Sequence, residues 1–107
     1  MILYLLSCEG NSFYTGITPD LEARLQAHLG QKKGGARATK MKKPLSLAAA
    51  WEFSEPRAAR SLEAKIKRLS HAEKAALAKA PETLFFLFPD EKGRGIDPAP
   101  FNARFFS

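Results

Sequence analysis

The hydrophobic pattern in the first half of the chain predicts strands. Apolar and β-branched residues run through 1–8, 12–17 and 45–53, which are lengths and compositions typical of strands. Glu9-Gly10-Asn11 separates the first two runs and predicts a tight hairpin turn. Three alanines at 48–50 weaken the third strand prediction, because alanine is depleted in strands.

Helical spacing and capping residues predict three helices. The first starts with Thr18 as N-cap and Pro19 in the first turn and ends near Gly30. The second begins at Glu55-Pro56, and the third begins at a Ser70-x-x-Glu73 capping box and runs to about residue 79. The core-facing positions predicted from the apolar spacing are Leu21, Leu25, Leu29, Leu62, Ile66 and Leu69.

The element order ββαβαα predicts an α+β domain, with a small, mainly antiparallel three-stranded sheet flanked by helices. We assign residues 1–80 to this domain and residues 81–107 to a C-terminal extension rich in phenylalanine and proline. The extension is expected to pack on the domain or to serve as an interface for a homodimer or a protein partner. It contains six of the eight phenylalanines, at positions 85, 86, 88, 101, 105 and 106.

The register of the hairpin decides whether the two tyrosines share a face of the sheet. A two-residue turn would pair Ser7 with Tyr14 and place the phenols on opposite faces. A three-residue turn pairs Leu6 with Tyr14 and Tyr4 with Gly16, so that the phenols become diagonal neighbours about 7–8 Å apart at their backbones. We predict the three-residue turn, with Gly16 leaving space above the sheet. Two ordinary packing tyrosines are the alternative.

Charge is unevenly distributed along the chain. Seventeen basic and 11 acidic residues give a formal net charge of +6, and no acidic residue lies between Ala23 and Trp51. A stretch in which every charged residue is basic predicts binding to nucleic acid, although a solvated basic loop is the alternative. The predicted backbone contacts are Lys32, Lys33, Arg37, Lys40, Lys42 and Lys43, with Gly34 and Gly35 permitting close approach to a phosphate.

Composition argues against a membrane or secreted protein. No run approaches the roughly 18 apolar residues of a membrane helix, and the apolar start lacks the basic lead-in of a signal peptide. The single cysteine, Cys8, cannot form an internal disulfide, which fits a reducing cytoplasm. No feature of the sequence activates Cys8, so we interpret it as core filling.

Five stretches, taken in order, resemble the GIY-YIG nuclease family: "LYLLSC", "FYTGIT", "LEARLQAHL", "KGGARATK" and "EAKIKRLSHAEKAAL". "ILY" (2–4) and "YTG" (14–16) stand for the two elements that name the family, and the resemblance covers about residues 2–79. The chain looks like the small, single-domain bacterial members, and it is also similar to excision-repair nucleases and to the nuclease subunits of eukaryotic branched-DNA resolvases. It departs from the family at Ile2, where relatives have glycine, and at Ile17, where some have lysine.

The resemblance implies a metal-dependent endonuclease that hydrolyses DNA, or RNA, by recognising structure rather than sequence, in repair or recombination. It implies that Glu63 binds one Mg²⁺ or Mn²⁺ and that Arg24 braces the phosphate. Tyr14, with Tyr4 beside it, would position or deprotonate the attacking water, which requires a lowered phenol pKa. His28 would relay the proton or contact phosphate.

Each assignment has a structural alternative. Glu63 and Lys67 are spaced as an i, i+4 ion pair. Arg24 could lay its stem over the core, and His28 lies late in a helix, where histidine suits the helix dipole. At the level of function, the alternatives are a nucleic-acid-binding module with little turnover and an adaptor that works through its aromatic extension.

Overall fold

The computed structural model describes residues 1–30 and 42–106. Of the residues predicted to contact nucleic acid, Lys32, Lys33, Gly34, Gly35, Arg37 and Lys40 lie outside this part of the chain. The elements in chain order are β1 (Ile2–Cys8), β2 (Ser12–Thr18), α1 (Leu21–Gly30), β3 (Pro44–Glu52), α2 (Pro56–Lys67), α3 (His71–Lys79), α4 (Thr83–Leu87), β4 (Arg94–Ile96) and α5 (Ala99–Phe105).

The sheet is antiparallel, with strand order β2-β1-β3-β4. The predicted α+β class is therefore confirmed, and the sheet has a fourth strand that the sequence pattern did not predict. β4 is only three residues long and pairs with Ala50–Glu52. A run this short is bounded by glycine and aspartate and has no apolar alternation to reveal it.

The hairpin has the predicted three-residue turn. Cys8 pairs with Ser12, which leaves three residues in the turn, and Tyr4 pairs with Gly16 as expected. Gly10 and Asn11 take positive φ angles of 75° and 55°, which glycine and asparagine tolerate best. The turn chemistry thus sets the register that brings both phenols to one face.

Two helix starts follow the sequence prediction and one does not. α2 begins with Pro56 after Glu55, and Ser70 and Glu73 form the predicted capping box at α3. α1 begins at Leu21, later than predicted, because Asp20 takes the capping role: its Oδ1 accepts a hydrogen bond from the Ala23 amide at 3.1 Å. Thr18, predicted as the cap, is instead the last residue of β2.

The core divides between the two faces of the sheet. The first cluster lies under α2, α3 and α4 and contains Leu3, Leu5, Ala49, Trp51, Phe53, Ala59, Leu62, Ile66, Leu77 and Leu84. The second cluster lies under α1 and α5 and contains Tyr4, Leu6, Cys8, Leu21, Leu25, Leu47 and Ala50. Leu69, predicted to face the core, is partly buried against the first cluster.

Residues 81–106 contact both clusters. Phe85 and Phe88 pack against the first, and the three phenylalanines at 101, 105 and 106 pack against the second. The Asn102 side chain accepts a hydrogen bond from the Leu47 amide at 2.7 Å and donates one to the Leu47 carbonyl at 3.0 Å. Phe86 is the exception, with 81% of its surface exposed.

Helices in the described ranges are too short or too polar to cross a membrane.

Candidate active site

Three aromatic rings meet where the hairpin packs against α1. The Tyr4 and Tyr14 ring centres are 6.3 Å apart. The His28 ring lies 5.8 Å from Tyr4 and 5.4 Å from Tyr14, and it meets both rings edge-on. Three of the residues implied by the resemblance are therefore neighbours in space.

The burial of His28 differs from the predicted helical stripe. The inward side chains of α1 are Leu21, Leu25 and His28, whereas Leu29 is only partly buried. His28 follows Leu25 by three positions and Leu29 follows it by four, so both lie on the same side of the helix. It is His28, and not Leu29, that takes the last inward position. The helix therefore presents an imidazole, rather than a leucine, at its inner end.

Tyr4 packs directly over Gly16. A Cβ on Gly16 would lie 2.6 Å from the Tyr4 Oη and 2.7 Å from its Cζ, closer than non-bonded atoms approach. Only glycine at this position leaves room for the phenol, as the hairpin register predicted.

Burial keeps the Tyr4 hydroxyl neutral. Loss of hydration, followed by the charge of Tyr14, raises the pKa of Tyr4 to about 12, while the positive charge of Arg24 acts in the opposite direction. The Tyr4 side chain has no exposed surface. At neutral pH this phenol therefore donates and accepts hydrogen bonds but does not serve as a base.

His28 is also neutral at pH 7. Burial, and then the charge of Arg24, lowers the pKa of His28. Its Nε2 and the Tyr4 Oη share a hydrogen bond of 2.9 Å, while its Nδ1 is buried with no partner in the described part of the chain. A doubly protonated ring would leave a charged N–H at Nδ1 unpaired, which adds to the preference for the neutral form.

Arg24 lies one helical turn before His28 and is exposed to solvent. Its charge influences the pKa values of both Tyr4 and His28, which places the guanidinium close to the ring cluster. No carboxylate within residues 1–30 and 42–106 forms an ion pair with it. The site therefore contains a cation available to an anionic ligand.

Glu63 approaches the same site from α2, which packs against β2 and β1. Its negative charge raises the pKa of Tyr4, so the carboxylate lies within electrostatic reach of the Tyr4 hydroxyl. The Glu63 Oε2 is also 3.4 Å from the Lys67 Nζ, which is the i, i+4 ion pair predicted as the structural alternative. Both features are present together in the structure.

The donor set around Glu63 suits a hydrated cation. Among the described residues, no group of three or more His, Cys, Asp or Glu side chains converges as a metal site. Mg²⁺ commonly retains several waters and binds one or two carboxylates together with a substrate phosphate. A single part-exposed carboxylate therefore fits Mg²⁺ or Mn²⁺ bound jointly with substrate, but not a closed structural metal site.

Of the basic residues predicted to contact nucleic acid, the structure describes Lys42 and Lys43. Both are exposed, and the Lys43 carbonyl accepts a hydrogen bond from the Glu9 amide at 2.9 Å. This bond joins the residue before β3 to the hairpin turn. The nucleic-acid contacts predicted for residues 32–43 remain a prediction.

Sequence reasoning gave two residues little or no role in the site. His71, left without a role, donates from Nε2 to the Asn11 carbonyl at 2.6 Å and packs on Phe13, so that it fastens α3 to the hairpin. Sixty positions separate these partners, and no local pattern could have revealed the contact. Cys8 is buried and burial raises the pKa of its thiol, in agreement with its interpretation as core filling.

Comparison with known proteins gives consistent matches. A family model described as the GIY-YIG catalytic domain matches residues 1–76. A UPF0213 protein of Cupriavidus necator is 43% identical over 76% of this chain and 87% of its own length. A UPF0213 protein of Xanthomonas axonopodis pv. citri is 42% identical over 77% of this chain and 79% of its own length. The solution NMR structure of a UPF0213 protein from Bacillus halodurans is 35% identical, covers 73% of this chain and 81% of that one, and has a TM-score of 0.47.

Proposed function

The chain belongs to the GIY-YIG family, a family of nuclease type, and we propose that it is an endonuclease that hydrolyses phosphodiester bonds of DNA. One observation carries the proposal: Tyr4, Tyr14 and His28 form a single ring cluster on which the charge of Arg24 acts. The Glu63 carboxylate acts on the same cluster from a different helix. Convergence of these groups from four separate elements favours a reaction centre over incidental packing.

The roles follow from the exposure and charge of each group. Arg24 binds the scissile phosphate, because its planar fork matches phosphate oxygens and it is exposed without a competing carboxylate. Tyr14, which is only partly buried, positions the attacking water and, in its phenolate form, accepts the proton of that water. Tyr4 and His28 form a neutral hydrogen-bonded pair, and this pair orients the neighbouring Tyr14 ring.

Glu63 would hold one Mg²⁺ or Mn²⁺, which when bound supplies positive charge to a phosphoryl oxygen as a Lewis acid. The carboxylate is available for this role because its ion-pair partner, Lys67, has 57% of its side chain exposed to solvent. Such surface pairs are weak and exchange readily.

Cleavage assays test the proposal directly. Branched, flapped and single-stranded DNA, and RNA of the same sequences, are incubated with the protein and Mg²⁺ or Mn²⁺. We expect DNA cleavage that Glu63→Gln and Arg24→Ala each reduce by about two to three orders of magnitude. Glu82→Gln is the matched control, because Glu82 is exposed and makes no side-chain cap at α4. Cleavage that both site variants retain at the full rate would reject the assignment.

A binding module of the same fold with little turnover is the second candidate. The observation that favours it is the ion pair between Lys67 and Glu63, which occupies the carboxylate that a metal would need. This candidate predicts salt-sensitive DNA binding without cleavage in any divalent metal, and Mn²⁺ affinity that Glu63→Gln leaves unchanged. Calorimetric titration of the wild type and of Glu63→Gln with Mn²⁺ decides between the two candidate functions, independently of any cleavage assay.

A further inference from the structure

Helix α2 carries a second basic surface that is separate from residues 32–43. Glu63 is the only acidic residue in positions 56–71, whereas the same stretch holds five basic residues. All five are exposed, and they are Arg57, Arg60, Lys65, Lys67 and Arg68.

Two of these residues flank Glu63 on the outer face of the helix. Arg60 precedes Glu63 by three positions and Lys67 follows it by four, which are the spacings that place side chains side by side. The Lys67 ammonium is 3.4 Å from the Glu63 carboxylate, in agreement with this placement. Arg60 and Lys67 are two turns apart, or about 10 Å along the helix axis.

Two other cations on α2, Arg57 and Lys65, face other groups. The Lys65 Nζ lies 5.3 Å from the centre of the Phe88 ring, on the side of the helix that meets the extension. Arg57 lines a groove together with Asp90 and Glu91, whose charges oppose its own. Arg60, by contrast, has no carboxylate partner among the described residues.

We propose that Arg60 and Lys67 form a phosphate-binding ridge that holds nucleic-acid phosphates on either side of Glu63, so that α2 aligns the strand across the site. This inference rests on the proposed function and adds a binding surface to it. The partner is the phosphodiester backbone rather than the bases, because exposed cations on a helix contact phosphate without reading sequence.

The ridge requires Lys67 to exchange partners. In the unliganded protein its ammonium neutralises Glu63. A nucleic-acid phosphate competes for the ammonium, because such an exposed pair is weak, and a divalent cation on Glu63 favours the exchange further by repelling the ammonium. Metal and nucleic acid therefore strengthen each other's binding, and this coupling is necessarily reciprocal.

Salt-dependent binding tests the ridge without requiring catalysis. Binding of fluorescent duplex DNA is measured by anisotropy in EDTA between 50 and 200 mM KCl for the wild type and for Arg60→Gln, Lys67→Gln, the double variant and Lys65→Gln. Each removed phosphate contact makes the negative slope of log K against log salt less steep by about 0.9. We expect this slope to become less steep by about one unit in each of the two ridge variants and by about two units in the double variant. In Lys65→Gln it should hardly change.

The Lys65 control separates a ridge from a general loss of charge, because all the single variants remove one positive charge from the same helix. Equal changes in slope for Lys65→Gln and Lys67→Gln would overturn the ridge, as would a double variant with the wild-type slope. Because EDTA prevents cleavage, these outcomes do not depend on whether the protein is a nuclease. If the wild type cleaves DNA and the double variant keeps the wild-type salt dependence of binding, the proposed function stands and only the ridge is rejected.

Mn²⁺ titration in the absence of DNA tests the exchange itself. Removing the competing ammonium in Lys67→Gln is expected to strengthen Mn²⁺ binding about twofold, as befits an exposed i, i+4 pair. Arg60→Gln serves as the matched variant, since it removes a charge from the same face without breaking an ion pair. Lys67→Gln that binds Mn²⁺ no more tightly than Arg60→Gln does would contradict the exchange.

Discussion

The two faces of the sheet show how this small chain separates stability from chemistry. The first cluster, under α2, α3 and α4, consists of buried hydrocarbon and aromatic side chains. Within this cluster the Trp51 indole N–H donates to the Pro81 carbonyl at 2.8 Å. The second cluster contains the fully buried Tyr4, which is joined to the buried His28.

The difference lies in how completely polar atoms are paired. The Trp51 indole N–H has its partner, whereas the Nδ1 of His28, on the other face, has none among residues 1–30 and 42–106. An unsatisfied buried polar atom costs about 1–3 kcal/mol. We infer that the apolar face supplies the stability that allows the opposite face to keep an incompletely paired polar arrangement at its candidate site.

The largest expected effect comes from breaking the apolar face. Trp51→Ala removes the largest fully buried side chain and its bond to Pro81, so the free energy of unfolding should fall by about 3–5 kcal/mol. Urea unfolding followed by circular dichroism measures the change. Trp51→Phe keeps most of the apolar surface and loses the hydrogen bond, and it should lose less than half as much. A loss below about 1 kcal/mol for Trp51→Ala would show that this face does not dominate stability.

Gly16→Ala tests the polar face through its tightest contact. The added Cβ would lie 2.6 Å from the Tyr4 Oη, so the phenol must move and its bond to His28 must lengthen. We expect a loss of about 1–3 kcal/mol in unfolding free energy, together with a larger loss of cleavage activity.

Gly30→Ala is the control for Gly16→Ala. A Cβ on Gly30 meets no atom of the described residues within 4 Å, and Gly30 lies in a helix, where alanine is favoured over glycine. This variant should be as stable as the wild type or slightly more so. If the two substitutions had equal effects, the close packing of Tyr4 over Gly16 would not matter.

The same contrast explains what the sequence could reveal. The pairing of Tyr4 with Gly16 was predictable because the number of residues in a hairpin turn fixes its register, and three residues separate Cys8 from Ser12. The Ser70 capping box was predictable because its partner is three residues away. Features that depend on residues close together in the chain could therefore be predicted from the sequence.

Features set by tertiary packing could not. The choice of His28 over Leu29 as the inner residue of α1 depends on how the helix docks on the sheet, which a four-residue spacing does not specify. The pairing of β4 with β3 and the bonds from Asn102 to Leu47 join residues more than 40 positions apart. The electrostatic influence of Glu63 on the Tyr4 hydroxyl likewise needed the structure, because α2 and the hairpin are distant in the chain.

Tyr4→Phe tests the hydrogen bond within the polar face and should have a smaller effect than Gly16→Ala. It keeps the ring but leaves both nitrogens of the buried His28 without a partner in the described part of the chain. The unfolding free energy should fall by about 1–2 kcal/mol. Tyr14→Phe is the matched control, because the Tyr14 hydroxyl has no hydrogen-bond partner within the described residues and its loss should affect cleavage far more than stability. Equal destabilisation by the two variants would contradict the distinction.

The smallest expected effect is the dependence of stability on pH that His28 introduces. An unfolded histidine titrates near pH 6.5, and burial followed by the charge of Arg24 lowers the pKa of His28 in the folded protein. Below pH 6.5 the unfolded chain therefore binds a proton that the folded chain resists, so the free energy of unfolding falls as the pH falls towards the folded pKa. Above pH 6.5 both states are neutral at this site and its contribution is flat.

Urea midpoints for the wild type and His28→Gln at pH 7.5 and pH 5.5 isolate this contribution. His71 and the carboxylates are present in both proteins, including Glu73, whose pKa is lowered by its hydrogen bonds to Ser70, so their titrations cancel in the comparison. The wild type should lose more stability than the variant between the two pH values, by at most about 1.4 kcal/mol for each unit by which the pKa is lowered. Equal losses would mean that the imidazole ionises as readily in the folded protein as in the unfolded chain. The polar face would then be hydrated, and its contrast with the apolar face would disappear.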